Sequence, residues 1–266
     1  MATLSLKKII SAAVLVTVSA VVHAGTTVIT FDEDTIAGNL VTLQHGTVIS
    51  NQYAALGVNI SVDNNQSGPD LGVLYNTDPG TSAPDKFNDA DSDLTGPNWG
   101  NSNFAAGTYE AGNSLIIQEN NTGCGDLVCD SPDDQAGELA GFITFDLDFE
   151  ISELGFEAID FQDNSQGVKE VQNSLVTVYN AAMQQQVFNF SDFTSAQFGA
   201  ANFGENSINR IMIDSFNIAG VNKVKFEVHG TGALDSLRLT TKVSEPATLA
   251  LFGLMLAGMA RVSRRR

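Results

Sequence analysis

Basic residues are scarce in this chain. Its 266 residues include 13 Lys and Arg against 31 Asp and Glu, which gives a formal net charge of −18. Six of the basic residues lie before Gly25 or after Val243, so residues 25–243 hold 7 basic and 30 acidic residues and carry a net charge of −23. A field of this sign opposes binding to nucleic acid and anionic lipid, and it favours solubility and divalent cations. We therefore expect no nucleic-acid partner.

The motifs of several enzyme classes are also missing. The sequence has no G-x-S-x-G nucleophile elbow, H-E-x-x-H zinc helix, phosphate-binding loop or dinucleotide fingerprint. His45 and His229 have no local catalytic context, and we predict surface or hairpin positions for them. The sequence thus favours a noncatalytic protein. A carboxylate pair for glycoside hydrolysis stays open as an alternative, because any two of so many acids can face each other.

No apolar run reaches the roughly 20 residues that a membrane-spanning helix needs, but a short run lies near the N-terminus. Lys7 and Lys8 precede an apolar stretch, Ile9–Val22, which is followed by small residues up to Ala24. This order is typical of a secretory signal helix. It predicts a signal peptide over residues 1–24, cleaved after Ala24, with the Sec translocon and signal peptidase as partners. The alternative is a buried N-terminal helix of a cytosolic domain.

A second short apolar run, Thr248–Ala260, lies near the C-terminus and predicts a short hydrophobic helix. Its length is marginal for crossing a bilayer, and it has no polar face to show to water. A cluster of arginines follows it: Arg261, Arg264, Arg265 and Arg266. These side chains favour the cytoplasmic side of the inner membrane, which leaves the preceding domain outside.

The residues before this run complete a recognisable tail. Ser244, Glu245 and Pro246 stand directly before the apolar run and its arginine cluster. In this order residues 244–266 resemble the PEP-CTERM sorting tail of Gram-negative bacteria, although Ser244 stands where the first proline of that tail usually lies. The resemblance implies transient inner-membrane anchoring and cleavage by an exosortase, a membrane-embedded cysteine protease. It also implies a final location in the cell envelope or extracellular matrix.

Residues 25–243 have the pattern of a β domain. From Ile143 to Ile151, apolar residues alternate with Thr, Asp and Glu, as expected of a strand with one buried and one wet face. Many short segments separated by turn residues predict an all-β fold, an antiparallel β-sandwich. A short helix is plausible only over Ser191–Phe203. Further predicted strands are Thr27–Phe31, Gly57–Val62, Leu115–Gln118, Leu154–Ile159, Ser174–Tyr179, Ile208–Ile213, Val224–Val228 and Leu234–Leu239.

The two cysteines lie close together, since Cys124 and Cys129 bracket only four residues. In an exported chain such a pair predicts a local disulfide. A loop this short gains about 2 kcal/mol or less from closure, so the bond stiffens a loop more than it stabilises the fold. A metal pair is the weaker interpretation, because no other cysteine is present.

Acidic side chains cluster between residues 85 and 94. Asp89, Asp91 and Asp93 alternate with other residues, and a D-x-D-x-D loop offers several of the six to eight oxygen ligands that Ca²⁺ prefers. The segment lacks the central glycine and the distant glutamate of an EF-hand, so an EF-hand is rejected. A calcium site of another type and a solvated acidic loop both stay open.

Several landmarks of the domain carry a second resemblance. They are Ile29–Glu33, Gln52–Val58, Asp91–Leu94, Asn113–Glu119, Asp134–Phe145 and Gly230–Asp235. Taken in order, they resemble exported bacterial jelly-roll proteins related to galactose-binding-like and carbohydrate-binding modules. This resemblance implies a structural calcium ion held by Asp32, Glu33 and Asp235.

These patterns favour a noncatalytic protein of the envelope or extracellular polysaccharide matrix that binds glycan and calcium. Tyr53, Tyr75, Trp99 and Tyr109 are candidates for stacking on sugar rings, with Trp99 the first choice because it lies in a Gly-Pro-rich loop. Simple packing of Trp99 is the alternative. A secreted glycan-active enzyme and a purely structural matrix protein stay open as alternative functions.

Overall fold

The structure is a computed structural model that describes residues 25–36, 39–78, 94–96, 99–125, 127–162, 167 and 169–241. Residues Gly25–Lys242 form one compact unit. The predicted signal peptide, the predicted C-terminal helix with its sorting motif, and Asp89, Asp91 and Asp93 lie outside the described residues. Among the residues that are described, no helix has the length and apolar character needed to cross a membrane.

The described residues are mostly β-strand. The strands are β1 Thr26–Ile29, β2 Glu33–Ile36, β3 Asn39–Thr42, β4 Val48–Ile49, β5 Val58–Asn64, β6 Gly72–Asn76, β7 Asn101–Ser102, β8 Asn113–Ile117, β9 Gly141–Ile159, β10 Leu175–Asn180, β11 Gln185–Asn189, β12 Ser207–Ile213, β13 Val221–Val228 and β14 Ala233–Thr241. One helical turn, α1, covers Glu170–Asn173, and short 3-10 helices cover Ala54–Leu56, Phe190–Thr194 and Ala196–Phe198. The prediction of an antiparallel β fold is confirmed.

β9 is the strand on which the fold depends. Its first half pairs with β5 and β13, and its second half pairs with β12 and β14, all antiparallel. Through these pairs β9 joins most strands into one 12-stranded sheet, while β2 and β3 form a separate two-stranded sheet. The one parallel pair among the described strands joins β12 to the short β7.

The sequence predicted two strands where β9 runs without a break. In the first half Ile143 and Phe145 face the main core, whereas in the second half Phe156 and Ala158 face it. The inward positions therefore change from odd to even numbers. A β-bulge produces such a change of phase, and the registers of β13 and β14 against β9 shift in this region. When the buried positions change from odd to even numbers within a strand, the sequence pattern looks like two separate strands.

Strands without alternation were not predicted from the sequence. β6 is buried along nearly its whole length, so it shows no polar face from which a strand can be recognised. β11 and the hairpin of β2 and β3 are too short and too polar for a clear pattern. The predicted helix over Ser191–Phe203 is replaced by two 3-10 helices, because the segment must fold back tightly to bury Phe190 and Phe193.

The main sheet buries apolar side chains in two clusters. The larger cluster contains a group of aromatic rings in which Phe156 lies 4.9–6.1 Å from the rings of Phe190, Phe193 and Phe226. The smaller cluster lies around the residues Val73, Ile116, Ile159 and Ile208, and the loop of residues 99–111 packs against it through Trp99, Phe104 and Tyr109. Neighbouring residues of β9, such as Ala158 and Ile159, point into different clusters.

Candidate functional site

Three charged residues face one another across three neighbouring strands. Asp235 of β14 lies opposite Glu157 of β9, and Glu157 lies opposite Arg210 of β12. Directly facing residues of antiparallel strands point to the same face of the sheet, with Cβ atoms roughly 4.5–5.5 Å apart. We call Asp235, Glu157 and Arg210 the charged row. Arg210 Nε donates to Glu157 Oε1 at 2.6 Å, and the side chains of Arg210 and Glu157 are 46% and 3% exposed.

The loop of residues 99–111 covers the charged row. The hydroxyl of Tyr109 donates to the carboxylate of Glu157 at 3.0 Å. The guanidinium of Arg210 lies 3.9 Å from the ring centre of Phe104 and 4.9 Å from that of Tyr109. Such cation–π contacts stabilise a cation that has lost part of its water. The loop therefore closes the row on its exposed side with aromatic rings.

Trp99 supports this loop from within. Its indole Nε1 donates to the backbone oxygen of Tyr109 at 2.9 Å, and its ring packs against the smaller core and against Gly96. The half-buried indole thus uses its polar group inside the protein. This geometry favours the packing alternative for Trp99 over the predicted sugar contact.

Asp235 has the most unusual environment of the row. It is 1% exposed, and its pKa is raised well above the ordinary value by burial and then by the charge of Glu157. The backbone N–H of Ser236 donates to Oδ1 and partly offsets this rise. Ser236 has a φ of +49°, and the register of β14 shifts directly after Asp235. A bulge with a strained residue thus fixes the direction of the Asp235 side chain.

Asp32 lies near the charged row, since its charge also raises the pKa of Asp235, but its carboxylate has other hydrogen-bond partners. Its Oδ1 accepts the backbone N–H of Asn113 at 2.8 Å, and Asp78 accepts the N–H of Gly112 beside it. Burial, followed by the charges of Asp78 and Glu33, raises the pKa of Asp32. Gly112 has a φ of +72°, and a Cβ at this position would overlap Asp32 Oδ1. Only glycine allows this close approach of the turn to the carboxylate.

Of the predicted metal ligands, Asp32, Glu33 and Asp235 lie among the described residues. Glu33 is exposed on β2, whereas Asp235 is buried beside Glu157. Within the described ranges, no three His, Cys, Asp or Glu side chains lie close enough to hold a metal ion. The structure therefore adds no support for a calcium ion at Asp32, Glu33 and Asp235, which stays a prediction. The second set, Asp89, Asp91 and Asp93, lies outside the described residues, so calcium binding there stays a prediction.

Two of the aromatic candidates are not exposed. Tyr53 and Tyr75 are each only 3% exposed, because both are packed into the cores, so the prediction that they can stack on sugars is wrong. Tyr109 is half-buried and hydrogen-bonded to Glu157. Alternation of apolar residues did not identify Tyr53 and Tyr75 as core residues, because one lies in a turn and the other in a strand buried on both faces.

The histidines and cysteines also have structural contacts. Cys124 and Cys129 form a disulfide, and Cys129 is fully buried. His229 lies at the turn between β13 and β14, where its Nε2 is 3.1 Å from Glu227. Nδ1 of His45 accepts the backbone N–H of Asn76, and burial lowers the pKa of this imidazole to about 4. His45 is therefore a neutral hydrogen-bond acceptor near pH 7, in a half-buried turn.

A second candidate site is a groove on the solvent-facing side of β9, β10 and β13. It has a volume of about 160 Å³. Its lining residues are Asp146, Leu147, Tyr179, Asn180, Ala181, Met183, Asn222 and Lys223. Lys223 faces both Asp146 and Tyr179 on the neighbouring strands, and its Nζ lies 2.9 Å from Asp146 Oδ1. The groove thus combines an aromatic ring with a half-exposed ion pair.

A bulge in β13 shapes this groove. Against β10, Asn222 is an extra residue of β13, and it lines the groove beside Lys223. Against β9 the register shifts at the same place, where residues 147–150 of β9 have no paired partner in β13. Asn180 holds the opposite rim, because its side chain donates to Gln184 and to the backbone oxygen of Ala219. Next to the groove, Lys225 Nζ lies 3.5 Å from the ring centre of Phe142.

The groove residues were not predicted from the sequence. The alternation of Lys223, Lys225 and Glu227 with apolar residues identified a wet face of one strand. Which residues of other strands share that face depends on long-range pairing, and no short motif encodes it. Compared with known proteins, the chain matches no family model, and a search of the curated proteins finds no significant match.

Proposed function

We propose that the chain is an exported, noncatalytic β-sandwich module of jelly-roll type that binds an extracellular glycan through the groove. The groove carries this proposal, because it places Tyr179, Lys223, Asp146 and Asn222 around one open cavity. Small-molecule sites usually combine an apolar or aromatic surface with a few polar groups that fix orientation. A sugar has the matching parts, since its ring presents a C–H face and its hydroxyls both donate and accept hydrogen bonds.

Each groove residue has a role in this proposal. The ring of Tyr179 packs on the apolar face of a sugar ring, while Lys223 and Asp146 bond to neighbouring hydroxyls. The ion pair between Lys223 and Asp146 keeps both side chains extended over the groove before ligand arrives. The acidic domain, with its net charge of −23 over residues 25–243, favours a neutral glycan over a polyanion.

Glycan binding is expected to depend on Tyr179 and Lys223. A glycan array identifies the ligand, and calorimetry then compares Tyr179→Ala and Lys223→Met with the wild type. Each substitution is expected to weaken binding at least tenfold, about 1.4 kcal/mol. Arg238→Ala is the matched control, because it removes an exposed cation of β14 outside the groove. Equal binding by both groove variants and the wild type would overturn the site.

Calcium binding by the segment with Asp89, Asp91 and Asp93 is tested by two measurements, each made in calcium and in a chelator. We expect the chelator to lower the melting temperature in a thermal melt or to weaken glycan binding in the titration. An unchanged melting temperature and affinity would remove calcium from the proposal.

A glycan-active enzyme is the second candidate, and the charged row is the observation that favours it. Asp235 and Glu157 are adjacent carboxyl groups in unlike environments, as the acid and the nucleophile of a glycosidase are. Both groups are nearly fully buried under the loop of residues 99–111, however, which separates them from any polymer. Product analysis decides the matter: hydrolysis that is lost in Asp235→Asn would replace the binding proposal.

Export and tail processing also belong to the proposal. The motif of Ser244, Glu245 and Pro246, followed by the apolar run and Arg264, Arg265 and Arg266, supports cleavage by an exosortase. Intact-mass measurement of the protein from an exosortase-containing Gram-negative host is expected to show a chain that begins at Gly25 and ends near Glu245. In a Pro246→Ala variant we expect the tail to be retained. A wild-type mature protein that still ends at Arg266 would contradict tail processing.

A further inference from the structure

The free edge of β11 points to contact with a second copy of this chain. β11 is at one end of the strand order of the main sheet, and within the described residues it pairs with β10 alone. Edge strands in natural proteins usually carry a lysine, a proline, a bulge or an inward-pointing charge that prevents pairing with other chains. β11 has none of these, since its sequence is Gln-Gln-Val-Phe-Asn and its register with β10 is regular.

The hydrogen-bond pattern identifies which backbone groups face outward. Asn180 N–H donates to the oxygen of Gln184, and Phe190 N–H donates to the oxygen of Ser174. Residues of an antiparallel strand alternate between bonding to one neighbour and bonding to the other side. The even-numbered residues of this segment therefore bond to β10, and the N–H and C=O groups of Gln185 and Val187 point away from the sheet. At Asn189 the outward N–H is already bonded to Asp192 Oδ2.

This outward pattern is complementary to itself. If two copies meet with antiparallel β11 strands and a two-fold axis at Gln186, Gln185 of each copy faces Val187 of the other. Each of these two facing pairs exchanges two backbone hydrogen bonds, which gives four in all. An isologous contact of this kind is the commonest arrangement in soluble oligomers.

The distribution of charge also favours a second copy of this chain as the partner of the β11 edge. Two copies of the domain, with a net charge of −23 over residues 25–243, repel each other over most of their surfaces. The segment Val171–Ser191, which contains the β10–β11 hairpin, has no charged residue. Met183 and Val187 add exposed apolar surface beside the edge, with exposures of 66% and 44%. The contact therefore brings together a neutral surface with apolar side chains and free backbone groups.

We propose that β11 pairs with β11 of a second copy and extends the two main sheets into one. Facing residues of antiparallel strands share a face, so the equivalent faces of the two copies lie on the same side. Because Gln185 faces Tyr179 of β10, the two glycan grooves also lie on this side. The dimer is argued from the edge geometry and the neutral surface beside it, without the proposed function. Its use in bivalent glycan binding rests in addition on the proposed function.

Sedimentation velocity across the micromolar range, without glycan, tests this proposal. We expect a monomer–dimer equilibrium for the wild type and a dissociation constant raised more than about tenfold in Val187→Glu. Val28→Glu is the matched control, because Val28 lies in β1 with a similar exposure of 42% and is expected to leave the equilibrium unchanged. Val187 is exposed, so near-ultraviolet circular dichroism should confirm an intact fold in its variant.

A charge exchange makes the test specific for the register. Val187→Glu mixed with Gln185→Lys is expected to restore a heterodimer, because the introduced carboxylate of one copy faces the introduced ammonium group of the other only in the proposed alignment. A wild type that stays monomeric across the range would overturn the proposal. It would also be overturned by a dimer that Val187→Glu leaves unchanged. Neither result bears on glycan binding by the monomer, which calorimetry measures separately.

Discussion

Replacing Arg210 by alanine is expected to lower the free energy of unfolding by about 3 kcal/mol. The substitution removes the cation that faces Glu157 and leaves this carboxylate, 3% exposed, with the Tyr109 hydroxyl as its remaining side-chain donor among the described residues. Loss of one partner of a buried pair costs about 3–5 kcal/mol. The lower end applies because 46% of the Arg210 side chain is exposed, so water reaches part of the vacated space. Urea unfolding at pH 7 measures the change.

A double-mutant cycle separates charge from packing. Arg210 also packs against Phe104, so Arg210→Ala loses apolar contact as well as charge. In Arg210→Ala with Glu157→Gln the buried charge is gone, and we expect the double variant to recover more than half of the loss. Arg238→Ala is the exposed control and is expected to change stability by less than about 0.5 kcal/mol. A double variant no more stable than Arg210→Ala would assign the loss to packing.

The general fold class could be predicted from the sequence because its signal is local. Ile143, Phe145 and Leu147 alternate with polar residues within one strand, and no distant information is needed to recognise a half-buried strand there. The short strands were missed for an equally physical reason. β6 is buried on both faces, and β7 is two residues long and held by its parallel contact with β12.

The candidate sites were predicted far less well, because the pairing register of distant strands brings their residues together. The jelly-roll resemblance points to Asp235, but its neighbour Glu157 lies 78 positions earlier in the sequence and meets it only through the pairing of β14 with β9. The same holds for Lys223, which reaches Asp146 on the neighbouring strand. Bulges at Asn222 and after Asp235 then direct these side chains, and a bulge has no reliable signature in sequence.

Asp235→Asn is expected to make the protein more stable at pH 8 and to flatten its pH dependence. Burial and the charge of Glu157 raise the pKa of Asp235 in the folded protein above its value in the unfolded chain. The stability that this group contributes is therefore fully present below the unfolded pKa and is lost as pH rises through the folded pKa. Asparagine has nearly the same shape but cannot ionise. We expect a gain on the order of 1–3 kcal/mol at pH 8, which disappears at acidic pH.

Unfolding curves measured between pH 3 and pH 8 give the difference between variant and wild type. Asp32 and Asp78 also have raised pKa values, and their contributions fall with pH in the same direction. Both proteins retain these groups, so their own effects cancel in the difference; what remains includes the repulsion between the charges of Asp32 and Asp235. Asp148→Asn is the control, because it removes one negative charge at an exposed position of β9 outside the charged row. We expect Asp148→Asn and the wild type to have nearly the same free energy of unfolding at each pH. A pH-independent difference for Asp235→Asn would show that Asp235 does not take up a proton on folding.

Arg210→Ala and Asp235→Asn both test the electrostatics of the charged row. Arg210 supplies a positive charge next to Glu157, while Asp235, on the other side of Glu157, is buried without a cation in its own facing pair. Burial and the charge of Glu157 raise the pKa of Asp235, so folding favours the uncharged form of this carboxyl group. Neutralising Asp235 should therefore stabilise the row, whereas removing Arg210 should destabilise it. Opposite signs for the two variants at pH 8 are therefore the expected result of this arrangement.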